Sequence, residues 1–257
     1  MATKFVTSSD GTHIAYDVTG RGPALMLLHG AGKTRKDWHK AGYVDRLKED
    51  FTVITVDLRG SGESDFLAGI SDYSIEKLCD DLNIVADACG VQHFLVWGYS
   101  FGGNIARYIG AWSNRAAAIS VIGIPFGPAV HHDFDQFISE FVRKWQPLVE
   151  AYKTGMATQK ENKSVIKSRI PAWVACFQAM RAWPGIMPQD IHCPVLLLVG
   201  TRNQGALNWV KSNQAALDLA KVQVEVVDGL NHSQEFSDIE RVFPIVSSFL
   251  KRFRSAS

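Results

Sequence analysis

Gly98-Tyr99-Ser100-Phe101-Gly102-Gly103 is the segment of this sequence whose residue types point most directly to covalent chemistry. A serine with glycine two positions away on each side suits a sharp strand-to-helix turn. The glycines let the backbone cross tightly without a Cβ clash and leave the hydroxyl at the tip. The flanks fit: His93-Phe-Leu-Val-Trp-Gly98 is an apolar run, and Asn104-Ile-Ala-Arg-Tyr-Ile-Gly110 opens a helical stretch. Ser100 is therefore the candidate nucleophile. The N–H of Phe101, at the start of the helix, is a candidate donor to an oxyanion. A serine hydroxyl needs a base, and His232 follows the last strand-like run, on the same carboxyl edge as Ser100. His131, His132 and His192 read as solvated histidines, and His29 as a residue that orients its own loop.

The elements that must position these groups are short apolar runs separated by stretches with helical spacing, the pattern of a mostly parallel sheet covered by helices. Strands are expected at Lys4 to Thr7, His13 to Val18, Ala24 to His29, Thr52 to Val56, His93 to Gly98, Ala117 to Ile122, Val195 to Val199 and Gln223 to Val227. Ser74 to Cys89 carries Ile75, Leu78, Leu82 and Val85 on one side, with Ser74 as a possible N-cap and Gly90 as a stop. Asn208 to Ala220, through Trp209, Ala216 and Leu219, and Val242 to Phe253 read as two more helices docked on the sheet. The fold class is α/β, with eight strands. Residues 126–188 contain no strand-like run and carry Phe134, Phe137, Phe141, Trp145, Trp173, Phe177 and Trp183, which predicts a helical insertion into a core of residues 1–125 and 189–257. Its aromatics either line a cavity or pack the insertion onto the core; substrate-facing positions are expected at Tyr99, Phe126, Trp145 and Trp173.

Composition narrows the partners. The 257 residues carry 27 Lys and Arg against 26 Asp and Glu, a net charge of +1 that provides no electrostatic footprint for nucleic acid or an anionic membrane. No apolar run approaches the roughly 18 residues that cross a bilayer, and the amino terminus lacks the apolar core of a signal peptide, so a cytoplasmic location is expected. The four cysteines show neither zinc-site spacing nor disulfide density and read as reduced, mostly buried thiols. His131-His132-Asp133 is a poor metal site, because adjacent helical residues diverge in direction, and no G-x-G-x-x-G opens a helix. Neither a metal nor a cofactor is expected.

With these motifs in place, essentially the whole chain resembles the α/β-hydrolase family. Leu27-Leu28-His29-Gly30-Ala31-Gly32 resembles that family's oxyanion loop, which implies that Ala31 supplies a second backbone N–H. Asp57-Leu58-Arg59-Gly60-Ser61-Gly62-Glu63-Ser64 resembles its structural glycine-rich turn. Cys193 to Gly200 resembles the strand that presents the acid, and Gly229-Leu230-Asn231-His232 the loop that presents the histidine. A serine at the elbow departs from haloalkane dehalogenases and epoxide hydrolases, whose nucleophile by resemblance is Asp.

The acid also departs from the pattern. Thr201-Arg202-Asn203-Gln204-Gly205 has Asn203 where the family usually has Asp. An amide oxygen can accept from an imidazole but cannot stabilise the imidazolium by charge, and Asp→Asn in a serine-protease triad lowers kcat by about 10⁴. Three explanations stand: Asp228 or Glu235, four residues before and three after His232, serves instead; Asn203 is native, in a Ser-His-Asn site or a ligand-binding protein; or Asn203 is an introduced change. The expected function is hydrolysis of an ester, lactone or activated carbonyl compound with an apolar acyl part, C–C cleavage of a diketone-like substrate being a close variant. The alternative is a non-catalytic or weakly catalytic ligand-binding homologue, or an Asp→Asn inactivated hydrolase.

Overall fold

The computed structural model describes residues 3–254, apart from the side chains of His132 and Asp133. Eight strands form one sheet: β1 Lys4–Thr7, β2 His13–Gly20, β3 Ala24–Leu28, β4 Thr52–Val56, β5 Phe94–Tyr99, β6 Ala116–Ile122, β7 Val195–Gly200 and β8 Gln223–Val227. Their spatial order is β1-β2-β4-β3-β5-β6-β7-β8. β1 and β2 pair antiparallel, as do β2 and β4, and every other pairing is parallel. All eight expected strands are present, three with unchanged ends and the others with ends moved by one or two residues.

The α-helices are α1 Arg35–Lys40, α2 Tyr43–Leu47, α3 Ile75–Ala88, α4 Phe101–Trp112, α5 His132–Lys153, α6 Gln159–Ser168, α7 Ile170–Met180, α8 Gln204–Ser212, α9 Gln214–Leu219, α10 Gln234–Ser237 and α11 Ile239–Lys251. The inner strands β3, β5 and β7 are buried along their whole length because both faces of the sheet are covered there, whereas β8, at the edge, keeps Gln223 and Glu225. Met26 and Leu28 of β3 pack with Leu78 and Leu82 of α3 and Ile105 and Ile109 of α4. Leu25 and Leu27, pointing the other way, pack with Trp38 of α1, Leu47 of α2 and Val246 of α11. Each such fully buried Leu or Ile is worth about 1.5–3 kcal/mol. Ser74 caps α3 by accepting from the Lys77 N–H, as its position predicts.

The helix expected over Asn208 to Ala220 is instead two, α8 and α9. Asn213 breaks it: its side-chain amide donates to the Trp209 carbonyl at 2.8 Å, competing with the backbone ladder. The restart changes the phase, so Leu217 is buried and Leu219, expected inside, is 83% exposed. Between β6 and β7 lie α5, α6 and α7, with no strand of the sheet. The four cysteines are free thiols, and burial pushes that of Cys193 up to about 12.

Topology positions the chemistry. Chain progression runs from β3 to β4 on one side and onward to β5 on the other, so β3 and β5 are neighbours at the point where strand order reverses. Crevices open there at the carboxyl ends of the strands. Leu28, at the end of β3, pairs with Gly98 of β5, which brings the His29 to Gly32 loop beside the Ser100 turn.

Candidate active site

Ser100 links β5 to α4 with φ 53°, a left-handed conformation in which an L-residue is strained. The strain follows from the close crossing of the turn over β3: a Cβ on Gly102 would collide with the Leu28 carbonyl. The Gly102 N–H donates to the His29 carbonyl at 3.0 Å, tying the turn to the neighbouring loop. His29 is fully buried and neutral, its pKa pushed down by burial. One ring nitrogen accepts the Leu58 N–H at 3.1 Å, which leaves Nδ1–H to donate to the Gly30 carbonyl at 2.9 Å. The loop is thus held by its own histidine. Ala31 and Phe101 border the cavity in front of Ser100. Their N–H groups take no protein acceptor among the described residues.

His232 stands on the loop after β8, with Nε2 at 2.9 Å from Ser100 Oγ. Tyr99 steadies it twice. Its hydroxyl donates to the His232 carbonyl at 2.8 Å, and its ring stacks on the imidazole at 5.3 Å between centroids. Burial, and after it the charge of Glu235, push the Tyr99 phenol above its ordinary range, so it remains a donor at neutral pH.

Behind His232 stands Glu235. It is 1% exposed, and its Oε2 lies 2.9 Å from His232 Nδ1. A carboxylate on Nδ1 places the proton there and leaves Nε2 free to accept from Ser100. Glu235 also receives the Gly200 N–H at 2.7 Å and the Asn203 amide, whose Nδ2 is 3.0 Å from both carboxylate oxygens. Asn203 Nδ2 donates to the Gly123 carbonyl as well, at 2.9 Å. Three oxygen acceptors surround that end of the amide, so the NH₂ faces them and not the carbonyl oxygen. Asn203 therefore does not accept from the imidazole, as its place in the sequence suggested; its 3.3 Å approach to Nδ1 brings two donors together. It donates instead to the carboxylate that touches the imidazole. Asp228, the other carboxylate considered, is exposed and accepts from Thr201 at 3.0 Å. Gly123 makes room for the group: with φ +80°, a Cβ there would collide with Glu235 Oε2.

The cavity in front of Ser100 holds about 420 Å³. Its walls are mainly Tyr99, Phe101, Phe134, Phe137, Phe177 and Met180. Of the substrate-facing positions expected from the sequence, Tyr99 lines it and the other three do not. Phe126 is fully buried against Trp209 at 5.8 Å. Trp145 packs against Phe141 and the small cluster of Val149, Ile170 and Val174. Trp173 stands behind the wall, edge-on to Phe101 and facing a separate recess with Lys33 and Arg169. The wall residues were marked by spacing: Phe134 with Phe137 in α5 and Phe177 with Met180 in α7 are i,i+3 pairs, each on one helix face. Among the described residues no group of three or more His, Cys, Asp or Glu gathers to hold a metal, and no helix is long and apolar enough to cross a membrane.

Comparison with known proteins identifies the family and the fold. Residues 23–168 match the family model of the alpha/beta hydrolase fold. Among curated relatives, a bifunctional epoxide hydrolase 2 of Sus scrofa is 28% identical over 130 residues, which is 49% of this chain and 22% of that protein. A soluble epoxide hydrolase of Corynebacterium sp. is 31% identical over 106 residues, 41% of this chain and 35% of that one. Such matches span only about a quarter to a third of the relatives' length. Among solved structures, an esterase from Rhodococcus sp. superposes with a TM-score of 0.70 at 25% identity, covering 98% of this chain and 100% of that one. A metagenomic epoxide hydrolase superposes with a TM-score of 0.75 at 19% identity, over 97% and 98% of the two chains. The sheet order, the strained serine turn and the family match together place this chain in the α/β-hydrolase fold family.

Proposed function

We propose that this protein is a serine hydrolase that cleaves an ester, lactone or similarly activated carbonyl bond of a small to medium apolar substrate through an acyl-enzyme. The observation that carries this reading is the unbroken hydrogen-bonded line from buried Glu235 through His232 to Ser100, with 2.9 Å at each step, opening on an apolar cavity. His232 Nε2 takes the serine proton as Oγ attacks the carbonyl carbon. Glu235 stabilises the imidazolium by charge, the role that Asn203 cannot fill. The N–H groups of Ala31 and Phe101 face the oxyanion as it forms, and the imidazolium then protonates the leaving group. Water repeats the sequence on the acyl-enzyme with His232 again as base. Helices α5 and α7 act as a lid whose inner face selects apolar substrates.

A carboxylate behind His232 removes the main support for the ligand-receptor reading, which rested on the missing acid. The epoxide hydrolase relatives do not transfer their reaction to this site. Opening an epoxide with a serine alkoxide forms an ether, which has no carbonyl for water to attack, whereas an aspartate forms a hydrolysable ester.

Labelling with a fluorophosphonate, together with burst kinetics on short p-nitrophenyl esters, tests the proposal. Rapid labelling that disappears in Ser100→Ala, and turnover that disappears with it, are the expected results. A wild-type protein that neither labels nor shows a burst would overturn the reading.

A further inference from the structure

Asn104 lies one helical turn after Ser100 on α4, about 6 Å along the axis, and lines the same cavity. It is 7% exposed, and its backbone N–H is taken by the Ser100 carbonyl at 2.9 Å. Its side chain has one protein partner, Arg107, whose Nη2 donates to Oδ1. A guanidinium has no acceptor, so the contact fixes which end of the amide is which: the oxygen faces Arg107 and the NH₂ faces away from it.

Arg107 is fully buried and meets no carboxylate among the described residues. Burial holds its pKa down to about 10, which still leaves it charged at neutral pH. Its Nη1 donates to the carbonyls of Pro125, at 2.6 Å, and Gly127, at 3.3 Å, while Nε is buried without a partner among the described residues. The cation thus clamps the segment after β6 to α4 and locks the Asn104 rotamer. The Asn104 NH₂ is left with no protein acceptor. A polar group in an apolar pocket that nothing in the protein satisfies is costly unless the ligand satisfies it.

We propose that Asn104 is a fixed hydrogen-bond donor to the substrate, reading a second, neutral acceptor oxygen such as a ketone or ether a few bonds from the scissile carbonyl. This rests on the hydrolase reading only for the identity of the scissile group. Lys33, at the same cavity, lies over the Phe236 ring with its ammonium 4.4 Å from the centroid, and no carboxylate lines the cavity beside these donors. The substrate therefore supplies acceptors, and the apolar walls favour an uncharged one.

The test compares p-nitrophenyl hexanoate with its 3-, 4- and 5-oxo analogues, by kcat/KM in the wild type, Asn104→Leu and Asn104→Asp. In parallel, calorimetry measures binding of the same esters to Ser100→Ala and to its double variants with Asn104. One oxo position is expected to be favoured about tenfold over hexanoate in the wild type, a preference that falls to within about twofold in Asn104→Leu. Asn104→Asp keeps an oxygen on Arg107 but presents an acceptor to the cavity, so the oxo analogue should become the poorer ligand. Equal handling of all four esters by the wild type, in turnover and in binding, would overturn the proposal. So would a preference that survives in Asn104→Asp. Should no ester be turned over while Ser100→Ala still prefers the oxo ligand through Asn104, the hydrolase reading falls and the donor stands.

Discussion

Asp57, behind the His29 to Gly32 loop, and Glu235, behind His232, are both shut off from solvent, yet they are satisfied in opposite ways. Asp57 meets a cation: Arg35 donates its Nη1 to Oδ2, while the backbone N–H groups of Arg35 and Glu63 donate at 2.7 and 2.8 Å. Arg35 is itself buried and also holds Asp17 at 2.9 Å and Glu63. Glu235 meets neutral donors, the Gly200 N–H and the Asn203 amide, and then His232. A carboxylate already neutralised by arginine has little left to offer a developing charge. One held by dipoles alone keeps its full charge for an imidazolium at contact distance. The same residue chemistry is therefore bound to a cation on one side of the site and stands against His232 without a cation on the other.

The largest effect expected from this contrast is in Glu235→Gln, which keeps the shape and removes the charge. On short p-nitrophenyl esters kcat should fall about 10³- to 10⁴-fold, with thermal unfolding moved by only a few degrees. Retention of more than about a tenth of kcat would mean that Glu235 does not act on His232. The mirror experiment is Arg35→Met, which strands Asp57 and Asp17 as buried charges. It should lower the unfolding free energy by about 3–5 kcal/mol, on the order of 10 °C, as read from urea and thermal curves. A loss below about 1 kcal/mol would show that the backbone donors alone hold Asp57.

Asn203→Asp sharpens the comparison further. It puts a second carboxylate against Glu235 and removes the donor to Gly123, so repulsion of like charges should lower kcat about 10- to 100-fold. A rise in kcat would return the acid's role to position 203.

The smallest effect is on acid stability. Glu63 is held at about 2, chiefly by the hydrogen bond from Arg35, and Asp10 is held further below its ordinary value, chiefly by Arg59. Both are depressed in the folded state. Their stabilisation is therefore complete above the unfolded values of 4.5 and 3.8 and is lost as pH falls toward 2. Asp81, raised by burial, works in the opposite sense and reduces the slope. Because Glu63 is substantially exposed, a loss of only about 1 kcal/mol is expected between pH 5 and 2.5. Urea unfolding at the two pH values checks it, with a flatter dependence expected in Glu63→Gln.

The comparison also marks where sequence reading stops. The strands, the serine turn and the place of His232 were legible because each follows from local rules: apolar runs for covered strands, glycines for a tight crossing, chain order along one sheet edge. Glu235 was in view as a carboxylate three residues past His232, but nothing local distinguished it from Asp228. What separates them is that α10 turns the Glu235 side chain onto His232 Nδ1, the Gly200 N–H and the Asn203 amide. Asn203 looked like a replaced acid because sequence shows a position and not a direction; packing turns its NH₂ toward three oxygens. The helices between β6 and β7 show the same division. Aromatic content announced that α5 and α7 could wall a cavity, yet Phe134 and Phe177 face it while Trp145 and Trp173 face elsewhere.

The sequence by itself determined the sheet, the elbow and the pairing of a serine with a histidine, because these depend on neighbours along the chain and on alternation that a backbone imposes. Only the tertiary structure decided which carboxylate completes the line, which way two asparagine amides point and which aromatics meet a ligand. Those outcomes depend on which donors and acceptors from distant segments converge on one buried point.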